Sequence, residues 1–562
     1  MRSLFQSAEP HTKLAGGRAR AQVMVSATLV FLLMAMIALP VQPGRAATND
    51  VSFLDPTFGS GGKVTTDFFA DLDVIEDMTI QPDGRIVVAG DVYSPQTSFD
   101  LAVARYNANG TLDATFGSGG KVTLDFFGRE DDGIAIAVQR DGKLVVAGLT
   151  FDAQDALLAS PDARSQSSLV VARFNANGAL DLSFGGGRGW VVAEFGGSSY
   201  ANDVAIQSDG RIVVVGHATS NRNAPRIGSA TDMLIARYNS DGSPDTTFGG
   251  IGRVFTDFSE GNDSANSVAL QADGRIVVAG STSGKFALAR YNNDGSLDSS
   301  FGSGGKLTND FMSAGGSAAS VAIQADGRII AAGTSGSSFA LARYNANGAL
   351  DATFGSGGKV LANFGGTSVG YDLALQRDGR LILGGYVTRA TGTDFAVARL
   401  NANGSFDTTF GAGGIVTADF FSKNDFAYAV GIQCDGRIVV AGSDSKTDEG
   451  DFALIRINPF DYCVQDDSNG TVLLVSVNSG DYLFFDLRKN VSLYGRGQIT
   501  VNSCKITLTD AGPTPKQPDR SVQALVNPCM RTGSASVQIY ATGATYSIFD
   551  SDFSNSVCAC AH

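Results

Sequence analysis

The chain has 562 residues, of which 43% are hydrophobic, 17% are charged and 69 are glycine, with a formal net charge of −14. Its apolar content excludes a disordered chain, and its acidity excludes nucleic acid as a partner, because an acidic surface repels phosphate backbones. Glycine in excess without a collagen period points to many short strands joined by tight turns.

The N-terminus carries Arg18 and Arg20, then the apolar run Val23–Leu39, then Gly44-Arg45-Ala46-Ala47. This basic, apolar, small-residue order predicts a signal peptide over residues 1–46, cleaved after Ala46. The alternative is an uncleaved anchor, for which a 17-residue run is slightly short. Cleavage leaves 37 basic against 55 acidic side chains, net −18. The expected location is secreted, periplasmic or cell-surface, with no membrane span after cleavage.

From about Val51 to Pro459 three landmarks recur in fixed order. The first is a Phe-Gly step at Phe58, Phe116, Phe184, Phe248, Phe301, Phe354 and Phe410. The second is Asp-Gly-Arg or Asp-Gly-Lys, starting at Asp83, Asp141, Asp209, Asp273, Asp326, Asp378 and Asp435. The third is an Arg-x-Asn step, starting at Arg105, Arg173, Arg237, Arg290, Arg343, Arg399 and Arg456. Seven copies at spacings of 52 to 68 residues mean propeller blades or solenoid units.

One copy shows the local physics. Ser267–Gln271 alternates as a strand, Asp273-Gly274 is a hairpin signal, and Arg275–Gly280 is the partner strand. Phe286–Asn292 and Lys306–Phe311 supply the third and fourth. Four antiparallel strands without a helix define a blade, so the fold class is all-β and the architecture a seven-bladed β-propeller. The Asn-Gly or Asp-Gly turn before the fourth strand occurs only six times, at Gly110, Gly178, Gly242, Gly295, Gly348 and Gly404. The N-terminal Lys63–Phe69 is therefore expected to close the ring as the outer strand of the last blade, pairing with Asp451–Asn458.

Asn107-Ala-Asn-Gly-Thr-Leu-Asp-Ala-Thr-Phe-Gly117 and Gln81-Pro-Asp-Gly-Arg-Ile-Val-Val-Ala-Gly90 resemble the Delta-60 repeat family of bacterial exported propellers, and more distantly NHL-type repeats. The resemblance covers residues 51–459. It implies a propeller and brings no established activity.

Residues 460–562 lack the repeat and show alternating runs at Thr471–Val477, Tyr482–Leu487, Ile499–Leu508, Ser521–Val526, Ser536–Ala541 and Tyr546–Phe549. They read as a small β-sandwich-like domain containing disulfides, and resemble uncharacterised cysteine-bearing C-terminal modules of exported bacterial proteins. Cys434 stands in the first hairpin turn of blade seven, and Cys463 follows the third strand of that blade by five residues. A Cys434–Cys463 pair is expected; the alternative is a free Cys434 with Cys463 paired inside the tail. Cys504, Cys529, Cys558 and Cys560 then form an even set for two further bridges.

Chemistry is sparse. A residue present in every blade holds the blade together, so the seven arginines are expected to pair with the aspartates of the Asp-x-x-Phe-Gly step, including Asp113, Asp298, Asp351 and Asp407. After the signal only His217 and His562 remain, which removes most routes to a histidine triad or a His-rich metal site. His217 reads as an ordinary loop residue. No catalytic or cofactor-binding residue is assigned.

Acidic residues cluster in loops expected on one face, as a single sector over blades seven, one and two: Asp71, Asp73, Glu76 and Asp77, then Glu130, Asp131 and Asp132, with Asp444, Asp448, Glu449 and Asp451 in the blade-seven insertion. A solvated acidic face is the ordinary reading. The functional one is a metal site with calcium as candidate, since hard cations want several carboxylate oxygens.

An exported, non-enzymatic binding or scaffold propeller follows, holding an unidentified protein or polysaccharide on one face. The alternative is a carboxylate- or metal-dependent enzyme acting on a lactone or carbohydrate. That enzyme should place non-repeated acids in the central channel. The first strands, read as Met78-Thr-Ile, Val204-Ala-Ile, Val268-Ala-Leu, Val321-Ala-Ile and Leu373-Ala-Leu, look apolar.

Overall fold

The computed structural model describes residues 53–458, except 70, 152–166, 196, 220–230, 259–260, 312–314 and 446–449. Outside that range it describes only strand backbone, at 42–43 and at intervals between 464 and 547. The apolar run of the expected signal peptide and the rest of residues 1–46, apart from Gln42–Pro43, lie outside the described residues. Among the described residues no helix is long and apolar enough to cross a membrane.

Every blade is built on four antiparallel strands, which follow chain order in blades one to six, whereas blade seven takes its outer strand from the N-terminal side. Blade one comprises Asp73–Ile80, Ile86–Ser94, Ser98–Tyr106 and Lys121–Leu124. The first strands of successive blades touch one another all the way round, so they line the central channel. The two-residue strand Gln42–Pro43 adds in parallel to the outer strand of blade five. The core is divided into seven hydrophobic clusters, one wedged between each pair of neighbouring blades. Each blade buries both faces, which is why its middle strands read as continuous apolar runs.

The ring closes as the repeat count requires. Lys63–Thr66 pairs antiparallel with blade seven, Lys63 opposite Ile455 and Thr66 opposite Phe452. Its neighbours reinforce the seam: Asp55 N–H donates to the Arg456 carbonyl at 2.8 Å, and Gly59 N–H reaches the Asn109 carbonyl of blade one at 2.9 Å. Joining the two ends of the repeat region in one blade conceals two strand edges.

The inner strands are longer than the alternating run suggests. In blade four the strand spans Asp263–Leu270, starting four residues before Ser267. The pattern breaks because each inner strand carries a bulge, as between Ala265 and Ser267, and the same slip recurs in all seven blades. A bulge inserts one unpaired residue and re-aims its neighbours. It also explains the glycine ending Val-Val-Ala-Gly. A Cβ at Gly280 would lie 1.8 Å from the Ser264 carbonyl oxygen, and one at Gly90 would lie 1.9 Å from that of Val74.

Beyond the propeller, strands Val464–Asp467, Gly470–Asn478, Asp481–Asp486, Val491–Asn502 and Lys505–Asp510 form an antiparallel meander. Gln538–Ala541 pairs with Ala544–Ser547. The run read as one strand over Ile499–Leu508 is instead a hairpin. The cysteines of this region lie outside the described residues, as does the run Ser521–Val526.

Candidate functional site at the channel mouth

The seven arginines are structural. Each guanidinium lies 2.7–2.9 Å from an aspartate of the Asp-x-x-Phe-Gly step: Asp113, Asp181, Asp245, Asp298, Asp351, Asp407 and, for Arg456, Asp55. Each also stacks over the phenylalanine of that step, as Arg105 does over Phe116 at 4.6 Å. The guanidinium then reaches into the next blade, where Arg237 donates to the Asn293 carbonyl at 2.6 Å. Burial pushes the Asp113 carboxyl up. The Thr115 hydroxyl and amide, with Arg105 and Arg85, outweigh it and hold the carboxyl below its usual range. A buried charge so fully paired is a staple between blades.

The expectation of apolar inner strands fails at one position. Immediately before Met78, Val204 and Leu373 stand Asp77, Asp203 and Asp372, and the same position holds Ser267 and Ser320 in blades four and five and Ala135 and Ala429 in blades two and seven. These side chains form a belt round the channel that accepts inner-strand N–H groups, mostly from the next blade. Asp77 accepts from Met78 at 2.7 Å and Ile136 at 2.8 Å. Asp203 accepts from Val204 at 2.6 Å and Val268 at 2.7 Å. Ser267 takes Val321, Ser320 takes Leu373, and Asp372 takes Leu373 and Val430.

The equivalent N–H of all seven inner strands is thereby satisfied. Alanine occurs only where the following blade's aspartate caps its own next amide, at Val204 and Met78. Burial raises all three carboxyls, with Asp203 pushed up to about 7; Asp203 and Asp372 add repulsion at Asp77. These three are non-repeated acids of the inner strands, and the oxygens of each accept backbone amides.

What departs from repetition is the bulge residue and the second-strand residue beside it. The bulge residues are Glu76, Ile134, Asn202, Asn266, Ala319, Tyr371 and Tyr428. On blades six and seven they build an aromatic cluster: Tyr371 lies 4.9 Å from Tyr428 and 5.7 Å from Tyr386, and Tyr386 lies 5.0 Å from Phe426. All four rings are half-buried. Burial first, then Glu76 and the neighbouring tyrosines, push the Tyr428 hydroxyl up, and Asp91 adds to this. The carboxylates of blade one thus adjoin the aromatic cluster.

Across the mouth, His217 lies within the strand Ile212–Thr219 rather than in a loop. It stacks on Tyr200 at 4.7 Å, with Asn202 and Ser264 each 3.4 Å from its Nδ1. Burial pushes this imidazole down to about 4, so it is neutral at ordinary pH.

The acidic residues singled out by sequence fall into separate groups: Asp73 of blade one meets Asp451 of blade seven, and Asp131 lies at another junction. Asp77 belongs to the channel belt. Asp73 and Asp131 are buried at the starts of the first inner strands, in different blade junctions. Asp71 accepts its neighbour Leu72 N–H at 2.8 Å. Glu130 and Asp132 are half-buried. Cys434 is disulfide-bonded, and Cys463, Cys504, Cys529, Cys558 and Cys560 lie outside the described residues. A cleft of about 520 Å³ opens near the Asp-Gly-Lys and Asp-Gly-Arg hairpins of blades two and three. Asp141, Lys143 and Arg173 in its wall are repeat landmarks held in ion pairs, so it carries no functional reading.

Seven such blades round one channel make the chain a β-propeller repeat protein. The family model described as "Domain of unknown function (DUF5122) beta-propeller" matches residues 81–116, 139–184, 207–248, 271–301, 324–354, 376–410 and 433–461. No curated protein matches the sequence. Among solved structures, a streptogramin B lyase is similar at TM-score 0.41 and 9% identity over 70% of this chain and 97% of that one. Sqt1 of Chaetomium thermophilum, bound to the N-terminus of the ribosomal protein L10, is similar at TM-score 0.40 and 14% identity over 70% and 98%. YCF48 bound to a D1 peptide gives TM-score 0.37 and 11% identity over 70% and 95%.

Proposed function

We propose that this chain is an exported, non-enzymatic binding module of the Delta-60 type, taking its ligand at the channel mouth over Tyr371, Tyr386, Tyr428 and Glu76. One observation carries this reading. Positions that staple blades repeat round the ring, whereas the bulge positions diverge and gather aromatic rings beside carboxylates at one sector. Half-buried rings next to acids suit a cationic group, through the ring faces and the local negative potential. The ligand is therefore a protein partner presenting lysine or arginine.

Export accounts for the basic, apolar and small-residue order of residues 1–46, and N-terminal sequencing of the mature protein should begin at Ala47. Binding is tested by screening the full chain against arrayed basic peptides and neutral glycans, alongside Tyr428→Ala and Glu76→Gln. Basic peptides should bind, and each variant should weaken binding at least tenfold with an unchanged melting temperature. Binding confined to neutral glycans, or binding that survives both substitutions, would overturn the reading.

A further inference from the structure

Three positions meet at each blade junction on the loop-bearing face. One lies near the start of a blade's third strand, one just after its outer strand, and one at the start of the next blade's inner strand. At four junctions all three are aspartate. The junction of blades one and two has Asp100, Asp125 and Asp131, and that of three and four has Asp232, Asp257 and Asp263. The junction of six and seven has Asp394, Asp419 and Asp425, and that of seven and one has Asp451, Asp67 and Asp73. In every trio the three residues offer oxygens within 4.8 Å of one another.

The seven repeats act as their own control. The third-strand and inner-strand positions are either both aspartate or both something else. The remaining junctions read Ser168 with Ser199, Lys285 with Gly316, and Ser338 with Ser368. A merely solvated acidic face would not require residues of two different blades to change together.

A second observation comes from burial. Every trio contains a buried carboxylate oxygen without a hydrogen-bond partner: Oδ1 of Asp100, Asp263, Asp425 and Asp73. The last three residues are 0% exposed and Asp100 is 6% exposed. Leaving such an atom unsatisfied is costly. Thr282 lies close enough to Asp263 to lower its pKa, yet its hydroxyl does not reach hydrogen-bond geometry with Oδ1. Burial, then the neighbouring carboxylates, push Asp73 and Asp425 up to about 7. Asp131 also reaches about 7, against a hydrogen bond from Thr150.

Basic groups compensate three trios in part. Lys63, Lys121 and Lys306 bond the backbone carbonyls of Asp419, Asp67 and Asp257, and Arg389 lies 2.8 Å from Asp394. At the first junction Trp190 stands where those lysines arise.

We propose that the four trios are divalent-cation sites, with calcium the fitting ion, clamping one blade to the next. Calcium binds oxygens at about 2.3–2.6 Å, so opposite ligands lie about 4.6–5.2 Å apart, with water completing the shell. Magnesium, at about 2.0–2.1 Å with octahedral demands, fits this spread less well. The sites stand independently of any ligand at the channel mouth.

Trp190 is the single tryptophan of the chain. It packs edge-on against Phe126 at 5.3 Å, and Phe126 N–H donates to Asp131 Oδ2 at 2.8 Å. Terbium in the first trio should therefore luminesce on selective tryptophan excitation of the folded full chain, and calcium should displace it. Asp125→Asn, altering an exposed carboxylate, should abolish the emission. Asp257→Asn, at the junction of blades three and four, should leave it intact while equilibrium dialysis falls from four calcium ions to three. Absence of sensitised emission, emission untouched by Asp125→Asn, or no calcium bound at millimolar concentration would each overturn the proposal.

Discussion

Arg456 Nη2 lies 2.9 Å from Asp55 Oδ2, joining residues from opposite ends of the propeller in the pairing that every other blade makes within itself. Burial raises the Asp55 carboxyl, but Thr57, Arg456 and Arg437 together hold it below its usual value. Asp55→Asn should cost about 3–5 kcal/mol, as expected when one partner of a buried pair is removed. Deleting residues 53–69 should cost more, because blade seven loses its outer strand and exposes an edge. Urea denaturation measures both, and a deletion mutant melting within a degree or two of wild type would remove this account of closure.

The staples and the closing strand were legible because they repeat. Once Arg105 and Asp113 are aligned with their copies, Arg456 lacks a local partner and Asp55 is the only copy left over. The belt was not legible. Asp77, Asp203 and Asp372 each sit one residue outside an apolar run, and they accept N–H groups from strands more than fifty residues away. A bulge separates them from the preceding alternation, so period-two reading loses register there. His217 was misplaced for a related reason, since its strand runs past the glycine that appears to end it. The four trios were visible only in part: Asp73, Asp131 and Asp451 stood in the expected acidic sector, but their partners did not. Their third-strand members, such as Asp100, join residues like Asp131 only once the blades close up.

The bulge makes a prediction about glycine. Gly280→Ala places a methyl group 1.8 Å from the Ser264 carbonyl oxygen, and the strand must shift or flatten its bulge. A loss of about 1–3 kcal/mol or more is expected from such overpacking. Gly274→Ala, in the hairpin turn of the same blade, meets nothing within 4 Å but holds φ at +86°. Its smaller loss, by denaturant melts, would come from backbone strain alone. Equal losses at the two sites would mean that the close approach is relieved without consequence.

Cys434 has its Sγ 3.9 Å from the Pro82 carbonyl of blade one, at the hairpin end of blade seven. The third strand of that blade ends on the same side at Ile457, six residues before Cys463 in the chain. First and third strands are two strand spacings apart, about 9–10 Å, which that length of chain spans easily. Non-reducing peptide mapping should therefore return Cys434 linked to Cys463. A peptide joining Cys463 to Cys504, Cys529, Cys558 or Cys560 would refute the pairing.

The belt sets a pH dependence whose sign follows from its carboxyls. Asp77, Asp203 and Asp372 are all raised above the ordinary value, with Asp203 at about 7. The folded state therefore holds these protons more tightly than the unfolded chain, whose aspartates titrate near ~3.9. Their contribution is complete below about pH 4 and is lost as pH rises toward 7. The arginine-paired aspartates, being lowered, act oppositely and lose their contribution only below about pH 4. With calcium held in excess, stability should therefore fall between pH 5 and pH 7.

One substitution isolates the belt. Asp372→Ser removes a titrating group, yet Leu373 N–H keeps the Ser320 oxygen at 3.2 Å, and a serine hydroxyl can take Val430 as Ser267 takes Val321. Asp77→Ser also removes a titrating group, but leaves Met78 or Ile136 without an acceptor, at about 1–3 kcal/mol. Urea melts at pH 5 and pH 7 should show a shallower slope for both variants, and a lower stability at pH 5 for Asp77→Ser alone. If Asp372→Ser lost stability as steeply with pH as wild type, the belt would not be the titrating element.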